Sequence, residues 1–128
     1  MNVLLVDDSA VMRAMVLRTL QMSGLPLGDV HQAGNGREGL ELLQRQPVDL
    51  VLLDISMPVM RGDEMLEAMR SDPALAHVPV VVVSSERSEE RVDRMEALRA
   101  VFVHKPFTPE QLRAVVLNAT GLFDECHT

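Results

Sequence analysis

Two stretches of the chain, Leu50-Val51-Leu52-Leu53 and Val80-Val81-Val82-Val83, are apolar at every position. A strand with one wet face alternates apolar and polar residues. A run with no polar face needs cover on both sides, which a central strand of a parallel sheet has when helices pack on each face. Both runs are strand-sized and far short of the roughly 20 apolar residues needed to span a bilayer. Val3-Leu4-Leu5-Val6 and Val101-Phe102-Val103 are two further strand candidates, and Val30 to Ala33 is a weaker one.

Between these runs the apolar spacing changes to three and four residues, the period of an amphipathic helix. Ser9 stands as N-cap ahead of Met12, Met15, Val16 and Leu20, and Gly24 and Pro26 close that segment. The turn Gly34-Asn35-Gly36 leads to Leu40, Leu42 and Leu43, although Gly39 inside this helix costs about 1 kcal/mol relative to Ala. Met65, Leu66 and Met69 mark a third helix. The segment from Glu86 to Arg99 is mostly charged, with Val92, Met95 and Leu98 as a narrow apolar stripe. Thr108-Pro109-Glu110-Gln111 is a capping box with Pro at the first helical position, and Leu112, Val115, Val116 and Ala119 form the stripe that follows. Five strands alternating with five helices predict a doubly wound α/β sheet joined by right-handed crossovers. A length of 128 residues fits one such domain. In folds of this kind ligands gather outside the carboxyl ends of the strands.

The balance of 12 Lys+Arg against 19 Asp+Glu leaves a net charge of −7, which argues against direct nucleic-acid binding, since that needs a cationic footprint. With no Trp, no Tyr and 3 Phe, a stacking platform for bases or a flavin is unexpected. The nine Met residues read as core fillers. No basic region precedes the first apolar stretch, and the single Cys126 cannot form an internal bridge. The expectation is a cytoplasmic chain without membrane insertion. His31, His77, His104 and His127 show no metal-ligand spacing.

The strand ends carry the chemistry. The first, third, fourth and fifth runs stop at Asp7-Asp8, Asp54, Ser84-Ser85 and Lys105. A twisted parallel sheet brings those ends into one crevice. Two like charges about 4 Å apart repel by roughly 4 kcal/mol at an effective dielectric of 20, so such a cluster needs neutralising. Lys105 can offset one charge and a divalent cation the others, with hard oxygen ligands favouring Mg²⁺.

Over residues 2–120 the chain resembles the response regulator receiver domain of two-component signalling, similar to its single-domain chemotaxis type. The resemblance rests on the acidic pair in Val6-Asp7-Asp8-Ser9, on Asp54 in Leu53-Asp54-Ile55-Ser56-Met57-Pro58, and on Ser84, Phe102 and Lys105-Pro106-Phe107, all in order and each at a strand end. It implies a flavodoxin-like sheet of order 2-1-3-4-5, a receiver domain over residues 1–121 and a short tail over 122–128. It also implies Asp54 as phosphoacceptor from a sensor histidine kinase or phosphotransfer protein. Asp8, Asp54 and the backbone carbonyl of Ser56 would ligate Mg²⁺ directly, with Asp7 acting mainly through water. Lys105 and the Ser84 hydroxyl would hold phosphoryl oxygens. Ser84 and Phe102 would form the switch that reshapes the face of the fourth helix, fifth strand and fifth helix toward a protein target. Such a chain is not an enzyme beyond Mg²⁺-dependent self-phosphorylation and self-dephosphorylation.

Some features depart from the family. Arg61 stands where an acid often precedes the glycine, and Leu98-Arg99-Ala100 replaces the usual Gly-Ala step before the fifth strand. Ser56 and Glu86 occupy positions that tune phosphoryl lifetime in the family. Phe102, without a phenol hydroxyl, reads equally as core. An unphosphorylated scaffold and the excised receiver of a longer regulator are the alternatives. A small aspartate-nucleophile phosphatase would want an acid where Ser56 stands, and a flavin carrier would want a Ser/Thr-rich phosphate loop.

Overall fold

The computed structural model describes residues 1–54, 62–84, 89–105 and 107–121, with the side chains of Asp63, Ser84, Glu89 and Arg91 excepted. The elements run β1 (Val3–Val6), α1 (Ala10–Met22), β2 (Val30–Ala33), α2 (Gly36–Arg45), β3 (Leu50–Leu53), α3 (Gly62–Ser71), β4 (Val80–Ser84), α4 (Glu89–Ala97), β5 (Val101–His104) and α5 (Pro109–Thr120). All neighbouring strands are parallel and their order is β2-β1-β3-β4-β5, so the flavodoxin-like α/β fold expected from the sequence is the fold observed.

The fully apolar runs form the middle of the sheet, and period-two alternation sends their side chains into two cores. Leu4, Val6, Val51, Leu53, Val80 and Val82 pack under α2, α3 and α4, against Leu43, Met65, Leu66, Met69 and Met95. Val3, Leu5, Leu50, Leu52, Val81 and Val83 pack against Val16 and Leu20 of α1 and Leu112 and Val116 of α5. Every residue of β1 and of β3 is buried. At roughly 25 cal/mol per Å² of apolar surface removed from water, these two layers are the main stabilising term of the fold.

Local signals set the helix boundaries. The Ser9 hydroxyl accepts from the Met12 N–H, and the Asn35 side chain accepts from the Glu38 N–H. Thr108 and Gln111 form the reciprocal capping box, and Gly121 ends α5 in the left-handed region at φ 78°. Gly39 is explained by close packing. A Cβ there would lie 2.9 Å from Met65 Cε and 3.1 Å from Val6 Cγ2, so the missing side chain lets α2 settle onto β1 and α3.

Two sequence expectations differ from what is found. Met15 belongs to the expected apolar stripe of α1, yet it is 57% exposed, with Val11 and Met22 also on the surface. Only Val16 and Leu20 of α1 are fully turned to the sheet and α5, because one helix resting on one sheet face buries a narrow stripe. The methionines accordingly divide, with Met65, Met69 and Met95 in the core.

The turn from α4 to β5 closes without glycine. Arg99 takes φ 63°, its N–H donates to Glu96 O and the Ala100 N–H donates to Met95 O. That pair of bonds is a Schellman motif with arginine at the left-handed position. Arg70 of α3 reinforces it, donating through Nε to Leu98 O (2.8 Å) and through Nη1 to Ala76 O (3.1 Å) and Val78 O (2.8 Å). Burial, and secondarily the charge of Arg99, lowers the Arg70 pKa from its ordinary value. An ion pair between Arg94 and Glu67 also joins α4 to α3. Among the described residues no helix is long and apolar enough to cross a membrane.

Candidate metal centre

The register of the sheet places the acids. Val6 pairs with Ala33 on one side and Leu53 on the other. Each ladder runs one bond further: the Asp7 N–H donates to Ala33 O (3.1 Å) and the Asp54 N–H to Val6 O (2.9 Å). Asp7 and Asp54 therefore leave the sheet side by side at the carboxyl ends of its two most buried strands. Asp8 follows Asp7 into the turn before α1.

One carboxylate oxygen from each of Asp7, Asp8 and Asp54 lies within 4.8 Å of the other two. Asp7 is 6% exposed, Asp54 half-buried and Asp8 exposed, so the cluster opens to solvent on the Asp8 side. Asp7 Oδ1 accepts from the Ser9 N–H at 2.9 Å. Lys105, just past β5, places Nζ 4.0 Å from Asp7 Oδ2. Burial raises the Asp7 pKa above its ordinary 3.8, and the adjacent Asp8 adds to the rise; the Ser9 N–H and the Lys105 charge oppose it. Burial prevails, so Asp7 holds its negative charge less readily than a free carboxylate does.

The donor set fits a hard divalent cation. It consists of carboxylate oxygens with no thiolate or imidazole among them, and its open side leaves room for the waters that Mg²⁺ retains.

The remaining sequence-derived residues fall as follows. Ser84 ends β4 opposite His104, but its side chain lies outside the described residues. Ser56, Arg61 and Glu86 also lie outside them, as does the 122–128 tail with Cys126. Phe102 is apart from the acids, half-buried against the core under α4, with its ring centroid 4.6 Å from that of His104 and the rings tilted by 49°.

Sequence reading passed over Arg13. It lines a small cavity together with Asp7 and Asp54, and its guanidinium reaches the Asp7 backbone. The only signal was its position in the first turns of a helix that starts from the acidic pair, and a cation there reads as a solvated face.

Proteins similar to this chain in sequence and in fold are numerous. A family model described as "Response regulator receiver domain" matches residues 3–117. The chain is 33% identical over 116 residues to chemotaxis protein CheY-3 of Vibrio cholerae, covering 88% of this chain and 86% of that protein. It is 34% identical over 122 residues to sensor histidine kinase TmoS of Ectopseudomonas mendocina, covering 94% of this chain but spanning 12% of that protein's length. Among solved structures, Vibrio cholerae CheY4 superposes with a TM-score of 0.80 at 35% identity, covering 92% of this chain and 97% of the other. A response regulator from Chloroflexus aurantiacus, at 22% identity and a TM-score of 0.84, shares the fold. Sequence, sheet order and the three clustered aspartates agree, and the chain belongs to the response regulator receiver domain family, of the CheY-like type.

Proposed function

We propose that the chain is a phosphoacceptor switch of two-component signalling, with Asp54 as the acceptor. The observation that carries this reading is the convergence of Asp7, Asp8 and Asp54 within 4.8 Å, with Lys105 against Asp7. An Asp54 carboxylate oxygen attacks the phosphorus of a phosphohistidine on a sensor kinase or phosphotransfer protein. The P–N bond breaks, the imidazole nitrogen leaves with the electron pair and takes up a proton, and Asp54 holds an acyl phosphate.

Asp8, Asp54 and the Ser56 carbonyl would hold Mg²⁺, with Asp7 acting mainly through water. When bound, the ion supplies neutralisation of charge on the phosphoryl oxygens during in-line transfer. Lys105 leaves Asp7 for a phosphoryl oxygen once Asp54 is modified, and the Ser84 hydroxyl donates to another. Movement of Ser84 gives Phe102 space to turn inward, which reshapes the α4–β5–α5 face that a protein target reads. Residues 1–121 constitute the receiver and 122–128 a tail. The setting is cytoplasmic, and apart from self-phosphorylation and self-dephosphorylation the chain has no enzymatic turnover. The same chemistry serves a lone relay and a segment of a larger regulator.

Intact-mass spectrometry after incubation with acetyl phosphate and Mg²⁺ tests the reading. A single phosphoryl adduct, absent in Asp54→Asn and in EDTA, is expected. No adduct from acetyl phosphate or from a second small donor, in protein shown to bind Mg²⁺, would favour the scaffold role.

A further inference from the structure

We propose that Arg13 is a positioning residue for the metal-binding acids, acting through the Asp7–Asp8 peptide; this rests on the phosphoacceptor reading and deepens it. The β1–β2 ladder ends beside the site. The Asp7 N–H still reaches Ala33 O, and the next donor a parallel ladder would offer to the Asp7 carbonyl is the backbone N–H of Asn35, which stands past the end of β2 as N-cap of α2. The neighbouring Gly34 N–H is taken by Glu38 Oε2 at 2.9 Å. The Asp7 carbonyl therefore stands at the point where β2 turns away from the sheet.

Arg13 supplies the donor. Its Nη1 lies 2.5 Å from Asp7 O, while its Nε donates to Gln32 Oε1 at 3.1 Å. A planar guanidinium fixed at two points behaves as a rigid bracket between α1, β1 and β2. The Asp7 carbonyl and the Asp8 N–H belong to one peptide plane. Holding that carbonyl fixes the plane, and with it the directions in which the Asp7 and Asp8 side chains leave the backbone. The guanidinium donates to the carbonyl, so its hydrogen bond leaves the carboxylate oxygens available as ligands, and the ordering it provides has to outweigh the repulsion between its own charge and a bound cation. Arg13 also lines, with Asp7, Asp54 and apolar residues of β1, β3 and α1, a small void next to two of the three acids.

Calorimetric Mg²⁺ titrations of the whole chain test the role, with wild type, Arg13→Met, Arg13→Lys and Gln32→Met compared. Groups that orient metal ligands are typically worth 10- to 100-fold in affinity. Arg13→Met is expected to weaken Mg²⁺ about tenfold, with a melting midpoint in EDTA within a few degrees of wild type. Arg13→Lys, which keeps a donor for Asp7 but loses the second anchor, is expected to recover part of that loss. In metal-free protein, the Asp7 carbonyl ¹³C resonance should shift in Arg13→Met, a readout a general packing role would not single out. Wild-type Mg²⁺ affinity in Arg13→Met overturns the proposal. Should that variant not fold, Gln32→Met carries the test: a weakening of about threefold is expected, and unchanged affinity overturns it. These titrations involve no phosphoryl donor, so failure of wild type to form an adduct while binding Mg²⁺ counts against the Asp54 reading alone.

Discussion

Lys105 Nζ lies 4.0 Å from Oδ2 of Asp7, reaching from the end of β5 to the end of β1 past two intervening strands. The contact joins an edge strand of the sheet to an interior one at Asp7, the buried acid among the described residues. It also shows why the apo site tolerates its acids: part of the charge is compensated from within the chain, and the remainder is left for a cation.

Asp7 gives a pH dependence with a definite sign. Its folded pKa is raised above the ordinary 3.8, mainly by burial. Folding therefore takes up a proton in the window between 3.8 and the raised value. The stability this residue contributes is greatest below that window and declines as pH rises through it. In metal-free buffer Asp7→Asn is expected to be more stable than wild type at pH 7, with the advantage fading as pH falls toward 3.8. Urea unfolding at a series of pH values checks this, and an advantage that grows with acidification would reverse the assignment.

Asp54→Asn removes one of three mutually repelling carboxylates. In EDTA the variant is expected to gain about 1–2 kcal/mol, a rise of about 3–6 °C in melting temperature for a domain of this size. Added Mg²⁺ should narrow the gap, because wild type then has its charge neutralised and gains the binding free energy. Equal or lower stability of the variant in EDTA would remove charge repulsion as a feature of the site.

Arg99 at φ 63° carries the steric cost of a Cβ in the left-handed region. Its side chain gives little back, through one exposed 3.4 Å bond to Ala76 O. Arg99→Gly is expected to stabilise the fold by about 0.5–1 kcal/mol, read as a higher urea midpoint at unchanged slope. A lower midpoint would mean that the arginine side chain outweighs the strain.

At Gly39 two effects oppose each other. Alanine is better in a helix by about 1 kcal/mol, but its Cβ would meet Met65 Cε at 2.9 Å and Val6 Cγ2 at 3.1 Å. Overpacking a filled core costs roughly 1–3 kcal/mol, and here one neighbour belongs to a fully buried strand. Gly39→Ala is expected to lose about 1 kcal/mol net, with a smaller loss in a Met65→Ala background where the space exists. An additive double mutant would exclude Met65 as the obstacle.

The sheet was legible because Leu50–Leu53 and Val80–Val83 have no polar face, and the acids because each stands at the end of such a run. Asp7, Asp8 and Asp54 converge as that placement requires, since a parallel sheet brings strand ends together whatever their distance along the chain. Less visible were residues whose partners are backbone atoms. Arg13 and Arg70 serve carbonyl groups, and a carbonyl has no letter in a sequence. The absence of the family's usual Gly-Ala step before β5 left the turn open in the sequence, and Arg99 closes it by adopting the left-handed conformation at a cost. Met15 lay on the helical period but beyond the width of the contact, which periodicity does not measure.

Arg70 has a mechanical consequence. It grips Leu98 O while also holding Ala76 O and Val78 O, and the Arg94–Glu67 pair lies on the same stretch of α4. The helix is thus riveted at one end to the body of the fold, and hydrogen exchange along α4 should show slowest opening near Leu98. A tilt of α4 would pivot about that end as its fulcrum. Over a helix about 13 Å long, a tilt of about 10° about that fulcrum displaces the far end by roughly 2 Å while the fulcrum stays in place.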